Sequence, residues 1–245
     1  MIQAEGLHKS FGAKNAVEGV SFVARDGEIT GLLGPNGAGK TTTLRMLYTL
    51  MRADSGRVLV DGIDAQTHPV EVRRLLGVLP DARGLYRRLT ARENIRYFAA
   101  LQGLTAEQTR ARIDLLIKTL AMEDIADRRT EGFSQGERLK TAIARALVHD
   151  PSNVVLDEPT NGLDVMATRS LREFLRQLKS EGRCVLFSTH IMQEVAALCD
   201  RIVIIAQGRV VAEGSAAEIQ EQAHEQSLEE AFMKIIGAAA IGGLA

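Results

Sequence analysis

Short apolar runs closed by turn residues alternate along this chain with longer stretches of helical period, which predicts an α/β fold with a largely parallel sheet. From Met1 to Val60, the runs Ile2 to Leu7, Val17 to Val23, Ile29 to Leu33 and Arg57 to Val60 read as strands, with turns at Asp26-Gly27 and Asp61-Gly62. They suggest an antiparallel sheet laid beside the core. After an apolar run from Leu76 to Leu79, the chain turns helical from Thr90 to about Ala126. Thr90 opens a helix over Ala91 to Leu101, and Thr105 with Gln108 forms a capping box before a helix reaching Leu120. The core pattern then resumes with a helix from Gln135 to Val148, a strand from Asn153 to Leu156, a helix from Met166 to Leu178, a strand from Cys184 to Ser188, a helix from Met192 to Leu198 and a strand from Ile202 to Ala206. Ser227 and Glu230 cap a last helix to about Ile236, and the small, uncharged stretch Gly237 to Ala245 is expected to fray. The expected organisation is one domain over 1–236, with a helical insertion over about 88–140 splitting the core.

Composition narrows the class. The chain has 245 residues, 45% hydrophobic and 25% charged, enough for a substantial core. Thirty Lys and Arg against 31 Asp and Glu give a net charge of -1, so no overall field recruits nucleic acid or an anionic membrane, and no nucleic-acid partner is expected. Cys184 and Cys199 lack metal-ligand spacing and read as reduced, structural thiols. Met1 to Ser10 lacks a signal peptide's apolar core, and no stretch approaches the ~20 apolar residues of a spanning helix. A cytoplasmic location is expected, peripheral to a membrane only through a partner.

The strongest chemical signal is Gly34-Pro35-Asn36-Gly37-Ala38-Gly39-Lys40-Thr41, set between the apolar run Ile29 to Leu33 and the helical pattern Thr42 to Leu47. Glycines let backbone N–H groups turn toward a β-phosphate, Lys40 adds a charge the backbone cannot supply, and the Thr41 hydroxyl is placed to ligate Mg²⁺. The helix that follows aims its positive end at the anion. Asn36, Gly37, Gly39, Lys40, Thr41 and Thr42 are the candidate triphosphate contacts. By itself the motif leaves a kinase, a GTPase, a helicase and a transport ATPase open. Asn153 to Glu158 then reads as an apolar strand ending in two carboxylates. Alternation directs Asp157 to the metal and Glu158 toward a water beyond the γ-phosphate, making Glu158 the candidate general base or water-positioning residue.

Phe133-Ser134-Gln135-Gly136-Glu137, followed by Arg138 to Leu147, resembles the signature sequence of ATP-binding cassette (ABC) ATPases. Pro159-Thr160-Asn161-Gly162-Leu163-Asp164 and Ser188-Thr189-His190 complete that family's ordered set, and the resemblance covers nearly the whole chain. It implies a P-loop NTPase (RecA-like) core with a parallel sheet, an antiparallel β subdomain and a helical insertion subdomain. It further implies that Phe11 stacks on adenine, that Ser134 and Gly136 reach the γ-phosphate of ATP held by a second subunit, that His190 contacts the γ-phosphate, and that Asp164 crosses the dimer seam. Alone, Phe11 also fits a core aromatic, Ser134 and Asp164 helix N-caps, and His190 a surface histidine.

Two positions depart from the family pattern. Leu79-Pro80-Asp81 stands where a Gln usually follows the strand, so Asp81 brings a negative charge that either binds the cation or is repelled. Gln135 replaces the first glycine of the signature pair. Both features, with Gly84-Leu85-Tyr86, Leu89 to Glu93 and Ser227 to Phe232, resemble ATPase subunits of ABC-2 exporters such as those for sodium extrusion and drug resistance. The resemblance implies an ATPase coupled to transport, a homodimer or heterodimer of ATPase subunits enclosing ATP and Mg²⁺, and separate transmembrane permease subunits. The Arg-rich segment Asp81 to Arg92 is the candidate docking surface for them, and equally reads as a solvated loop. A soluble ABC ATPase acting on nucleic acid or ribosomes is the alternative; those resemble fused cassettes or carry long coiled coils, and this chain has one phosphate loop and no sustained heptads.

Overall fold

The computed structural model describes residues 1–81 and 84–242. Ala82 and Arg83 of the expected docking segment, and residues 243–245 of the expected tail, lie outside the described residues. In chain order the elements are β1 (Ile2–Phe11), β2 (Lys14–Ala24), β3 (Ile29–Leu33), α1 (Lys40–Leu47), β4 (Ser55–Val60), β5 (Ile63–Asp64), α2 (Pro69–Leu75), β6 (Leu76–Leu79), α3 (Ala91–Leu101) and α4 (Ala106–Thr119). Then come α5 (Gln135–Leu147), β7 (Asn153–Asp157), α6 (Val165–Ser180), β8 (Cys184–Thr189), α7 (Met192–Leu198), β9 (Arg201–Ala206), β10 (Arg209–Gly214), α8 (Ala216–Ala223) and α9 (Leu228–Gly242).

Two sheets result. β2-β1-β4-β5 is antiparallel, as the opening pattern predicts, while β3 leaves that group to sit inside a six-stranded sheet ordered β10-β9-β3-β8-β7-β6. Five strands of the larger sheet are parallel and β10 returns antiparallel at its edge. Every residue of β3, β7 and β8 is buried, the condition of strands covered on both faces. Alternation divides them between two cores. Val154, Leu156, Val185 and Phe187 face the helices, packing with Leu139, Ile143, Leu171 and the insertion residues Ile95, Ile113 and Leu116. Val155, Cys184, Leu186 and Leu32 face the antiparallel sheet through Leu7, Val20, Phe22 and Val60, with Leu44 and Leu47 of α1 between.

The helix starts follow local chemistry. Thr90 with Glu93, Thr105 with Gln108, and Ser134 with Glu137 each form complete capping boxes. Four elements were not expected from the pattern: β5, α2, β10 and α8. The β9–β10 hairpin turns at Gln207 (φ 50) and Gly208 (φ 79), both left-handed as a two-residue hairpin needs. The last helix runs past its expected end at about Ile236, because α9 continues through residues 237–242. Its base is anchored by buried Leu228 and Ala231, and the alanines that follow are the strongest helix formers. Among the described residues no helix is long and apolar enough to cross a membrane.

Candidate functional site

β3 ends at Leu33, and the chain wraps immediately into α1. Gly34 is compelled by packing: a Cβ there would lie 2.2 Å from the Ile205 carbonyl oxygen. Gly39 is compelled by conformation and packing together, with φ 106 and a Cβ position 2.5 Å from the Ala16 carbonyl oxygen. No side chain caps α1, so its first N–H groups are left for a ligand at the positive end of the helix. Lys40 is 5% exposed; its Nζ donates to the carbonyls of Gly34 (2.8 Å) and Pro35 (3.3 Å) and lies 3.3 Å from Glu158 Oε1.

Strand register assembles the rest. Leu33 of β3 pairs with Thr189 of β8, Asp157 of β7 with Ser188, and Leu79 of β6 with Leu156. The C-terminal ends of four adjacent parallel strands therefore deliver Gly34, His190, Asp157 with Glu158, and Asp81 to one edge, the edge at which parallel sheets bind ligands. Glu158 takes φ 47, a left-handed conformation costing a non-glycine residue about 1–3 kcal/mol. Its N–H is bonded to Ser188 and its carbonyl accepts from Asn161, which hold that geometry. Its carboxylate then spans Lys40 on one oxygen and His190 Nδ1, at 2.9 Å, on the other.

A cleft of about 430 Å³ opens over this edge, lined by Phe11, Lys14, Ala16, Asn36, Gly37, Gly39, Lys40, Thr41, Thr42, Asp81, Glu158, Asn161 and His190. Phe11 is 49% exposed with the Lys9 ammonium 5.8 Å from its ring centre, so it is no core aromatic. Asp157 lies behind the cleft, 2% exposed. Its Oδ1 accepts from Ser188 Oγ (2.6 Å) and Thr41 Oγ1 (3.3 Å), while its buried Oδ2 accepts nothing among the described residues. Burial raises its carboxyl above the usual range; the two hydroxyls oppose that, and the charges of Asp81 and Glu158 reinforce it. An orphaned carboxylate oxygen beside the Thr41 hydroxyl and a triphosphate-sized cleft is a hard, all-oxygen donor set, which fits Mg²⁺.

Three predicted residues are not brought to this cleft. Ser134 is spent in this chain on capping α5: its Oγ accepts from Glu137 N (3.2 Å), and Glu137 Oε2 accepts from Ser134 N (2.7 Å). Gly136 lines a separate hollow between α5 and α6. Asp164 caps α6 by accepting from Ala167 N at 2.8 Å, on an exposed turn flanked by Val165 and Met166, which are 84% and 71% exposed.

Known proteins share this architecture. A family model described as ABC transporter matches residues 17–161. The chain belongs to the ABC transporter family. It is an ATPase of that family, built on the P-loop NTPase fold. It is 47% identical over 219 residues to "ABC transporter ATP-binding protein NatA" of Bacillus subtilis (strain 168), covering 89% of each chain. It is 41% identical over 214 residues to "Nod factor export ATP-binding protein I" of Paraburkholderia xenovorans (strain LB400), covering 87% of this chain and 70% of that one. Among solved structures it resembles an ATP-binding subunit of an ABC transporter, with TM-score 0.88, 32% identity and coverage of 96% and 99%. It also resembles a dimeric, post-hydrolysis ATP-binding cassette bound to ADP and Pi, with TM-score 0.79, 25% identity and coverage of 88% and 98%.

In this ABC ATPase four further residues contribute to which the sequence assigned no site role, two of them, Asn161 and Ser188, inside the family's motifs. Lys14 and Ala16 reach the cleft only because the β1–β2 hairpin folds over it, and Asn161 only through the turn that strains Glu158. Ser188 holds Asp157 from the neighbouring strand. Asn161 and Ser188 were signalled by the motifs that contain them; Lys14 and Ala16 had no local signal.

Proposed function

We propose that this chain is the ATP-hydrolysing subunit of an ABC exporter and works as half of a dimer in which two ATPase subunits enclose two ATP molecules. One observation carries the reading: the phosphate cradle, Asp157, Glu158 and His190 gather at one cleft, while Ser134 and Gly136 lie outside it and have a second chain's nucleotide left to serve. The partner is a copy of this chain or a related cassette, with Asp164 at the seam. The names of relatives, one concerned with export of Nod factor and one with linearmycin resistance, support export, with sodium, drug or lipid as the cargo classes.

In this reading Asn36 to Thr42 hold the phosphates, Phe11 stacks on the adenine, and Thr41, Asp157 and Asp81 hold Mg²⁺, which neutralises phosphate charge when bound. Lys40 lies between Glu158 and the carbonyls of Gly34 and Pro35, and phosphate oxygens in the cleft compete for the same cation. Drawing Lys40 away leaves Glu158 Oε1 to orient and deprotonate the attacking water, while His190 fixes Oε2. The subunit sits at the cytoplasmic face of the membrane on separate permease subunits. The segment 84–92 is their docking surface, held firm where Asn94 bonds to the backbone of Tyr86, Leu89 and Thr90.

The test is the mass of Glu158→Gln by light scattering with and without ATP. The expected result is a dimer only with ATP, and a monomer only without Ser134, in the double variant with Ser134→Ala. A monomer at saturating ATP in the single variant overturns the proposal.

A further inference from the structure

α7 is a helix of seven residues that begins just past His190, so whatever sets its direction sets where the imidazole stands. Its own means of doing so are few. No side chain caps it, and the buried Val195 and Leu198 attach it through apolar packing, which is non-directional. Direction comes from α6. Arg172, Arg176 and Lys179 lie at i, i+4 and i+7 on one face of that helix, and they meet Glu194, the Ala197 carbonyl and Asp200 in the same order along α7 and the turn after it. The rung at Asp200 is anchored to the sheet, because its Oδ2 also accepts from Ile29 N (2.9 Å) at the start of β3. The rung closest in sequence to His190 is buried. Glu194 is 4% exposed, and Arg172 Nε (3.1 Å) and Nη2 (2.8 Å) each donate to one of its carboxylate oxygens. A bidentate pair of this kind fixes angle as well as distance.

We propose that Arg172 and Glu194 are positioning residues for ATP hydrolysis: their buried ion pair holds α7 on α6 so that His190 stays against Glu158. A buried pair adds little net stability, because desolvation offsets the attraction; its use here is to select one orientation of α7. This rests on the proposed role of His190 in fixing Glu158, and adds what holds His190 itself. The pair Arg169–Glu173 is exposed, lies within α6 alone and has no such part.

Arg172→Met alone strands a buried carboxylate and endangers the fold. The deciding variant therefore replaces both partners, Arg172→Met with Glu194→Leu, since apolar residues of similar volume are tolerated at a buried ion pair. Thermal melting and steady-state ATPase assays are run on the full chain. The double variant is expected to melt close to wild type, to lose about tenfold in kcat and to keep KM within about threefold, the mark of a misplaced group rather than a lost binding contact. Arg172→Lys, which keeps the charge and loses the fork, falls between, and Arg169→Met keeps wild-type kcat. Added to His190→Ala, the double substitution costs less than about twofold more, because no imidazole is left to misplace. Where His190→Ala itself lowers kcat, undiminished kcat in the double variant, or the same tenfold loss without His190, overturns the proposal. Where His190→Ala leaves kcat intact, the proposed role of His190 falls, and nitrogen NMR of histidine-labelled protein decides the positioning separately. The His190 Nδ1 resonance, identified by its loss in His190→Ala, then shifts in the double variant if the pair places it; an unmoved resonance overturns the positioning as well.

Discussion

His190 Nδ1 lies 2.9 Å from Glu158 Oε2, although 32 residues separate them in the chain. The contact exists because β7 and β8 are adjacent and in parallel register, so the residue after Asp157 and the residue after Thr189 leave the sheet together. Glu158 is 12% exposed and His190 40%, which puts the acid inside the cleft and the imidazole at its mouth.

If the imidazole orients the carboxylate, His190→Ala lowers kcat for ATP by about a hundredfold, the lower end of what a positioned acid–base group contributes, with KM changed only a few-fold. Steady-state ATPase assays check this. A rise in KM with unchanged kcat would assign His190 to substrate binding alone.

Asp157 yields a pH dependence. Its carboxyl is raised by burial, so the folded state binds its proton more tightly than the unfolded chain does. Stability from this group is therefore full at low pH and is lost as pH climbs from the ordinary carboxylate range through the raised value. Asp157→Asn, which keeps an acceptor for Ser188 but carries no charge, raises the melting temperature of nucleotide- and metal-free protein at neutral pH. The gain shrinks as pH falls toward the ordinary range, and a thermal-shift series across pH reads it.

Arg145 is a buried cation on α5, 8% exposed, with its guanidinium 4.4 Å from the Phe98 ring centre and Nη1 donating to the Gly84 carbonyl at 2.9 Å. It ties α5 to α3 and to the loop following β6. Arg145→Ala removes a charge-assisted hydrogen bond and a desolvated cation–π contact, and is expected to cost about 3 kcal/mol in urea unfolding. Arg145→Lys recovers only part of this, because an ammonium lacks the planar fork.

Thr105 and Ser134 cap helices in the same way, yet only Ser134 is assigned to a nucleotide. Each Ala substitution is expected to cost about 1 kcal/mol of stability. Thr105→Ala keeps ATP-dependent dimerisation, whereas Ser134→Ala loses it; size-exclusion chromatography of both in the Glu158→Gln background makes the comparison.

Legibility followed the range of the interaction. The helix start at Thr90, the capping box at Thr105, the N-cap at Ser134, the turns at Asp26-Gly27 and Asp61-Gly62, and the helix Met192 to Leu198 were all readable, because each is decided within a few residues. β10 and α8 were not, since Arg209 to Gly214 becomes a strand by pairing with β9, and α8 then packs Ile219 and Ala223 against that edge. The end of α9 was misjudged for a similar reason: its base is fixed by Leu228 and Ala231 in a core built by distant strands.

The sequence by itself determined the phosphate cradle, since glycine, Lys40 and Thr41 act through backbone geometry that neighbours in the chain impose. It also determined which residue types stood ready at Asp157, Glu158 and His190. Only the tertiary structure decided what those residues do to one another. Asp81, Asp157, Glu158 and His190 come from three strands, and their pairing depends on strand order and register, which arise from burying both faces of one sheet rather than from any local preference. The same packing left Ser134 outside the cleft, a separation no spacing along the chain expresses.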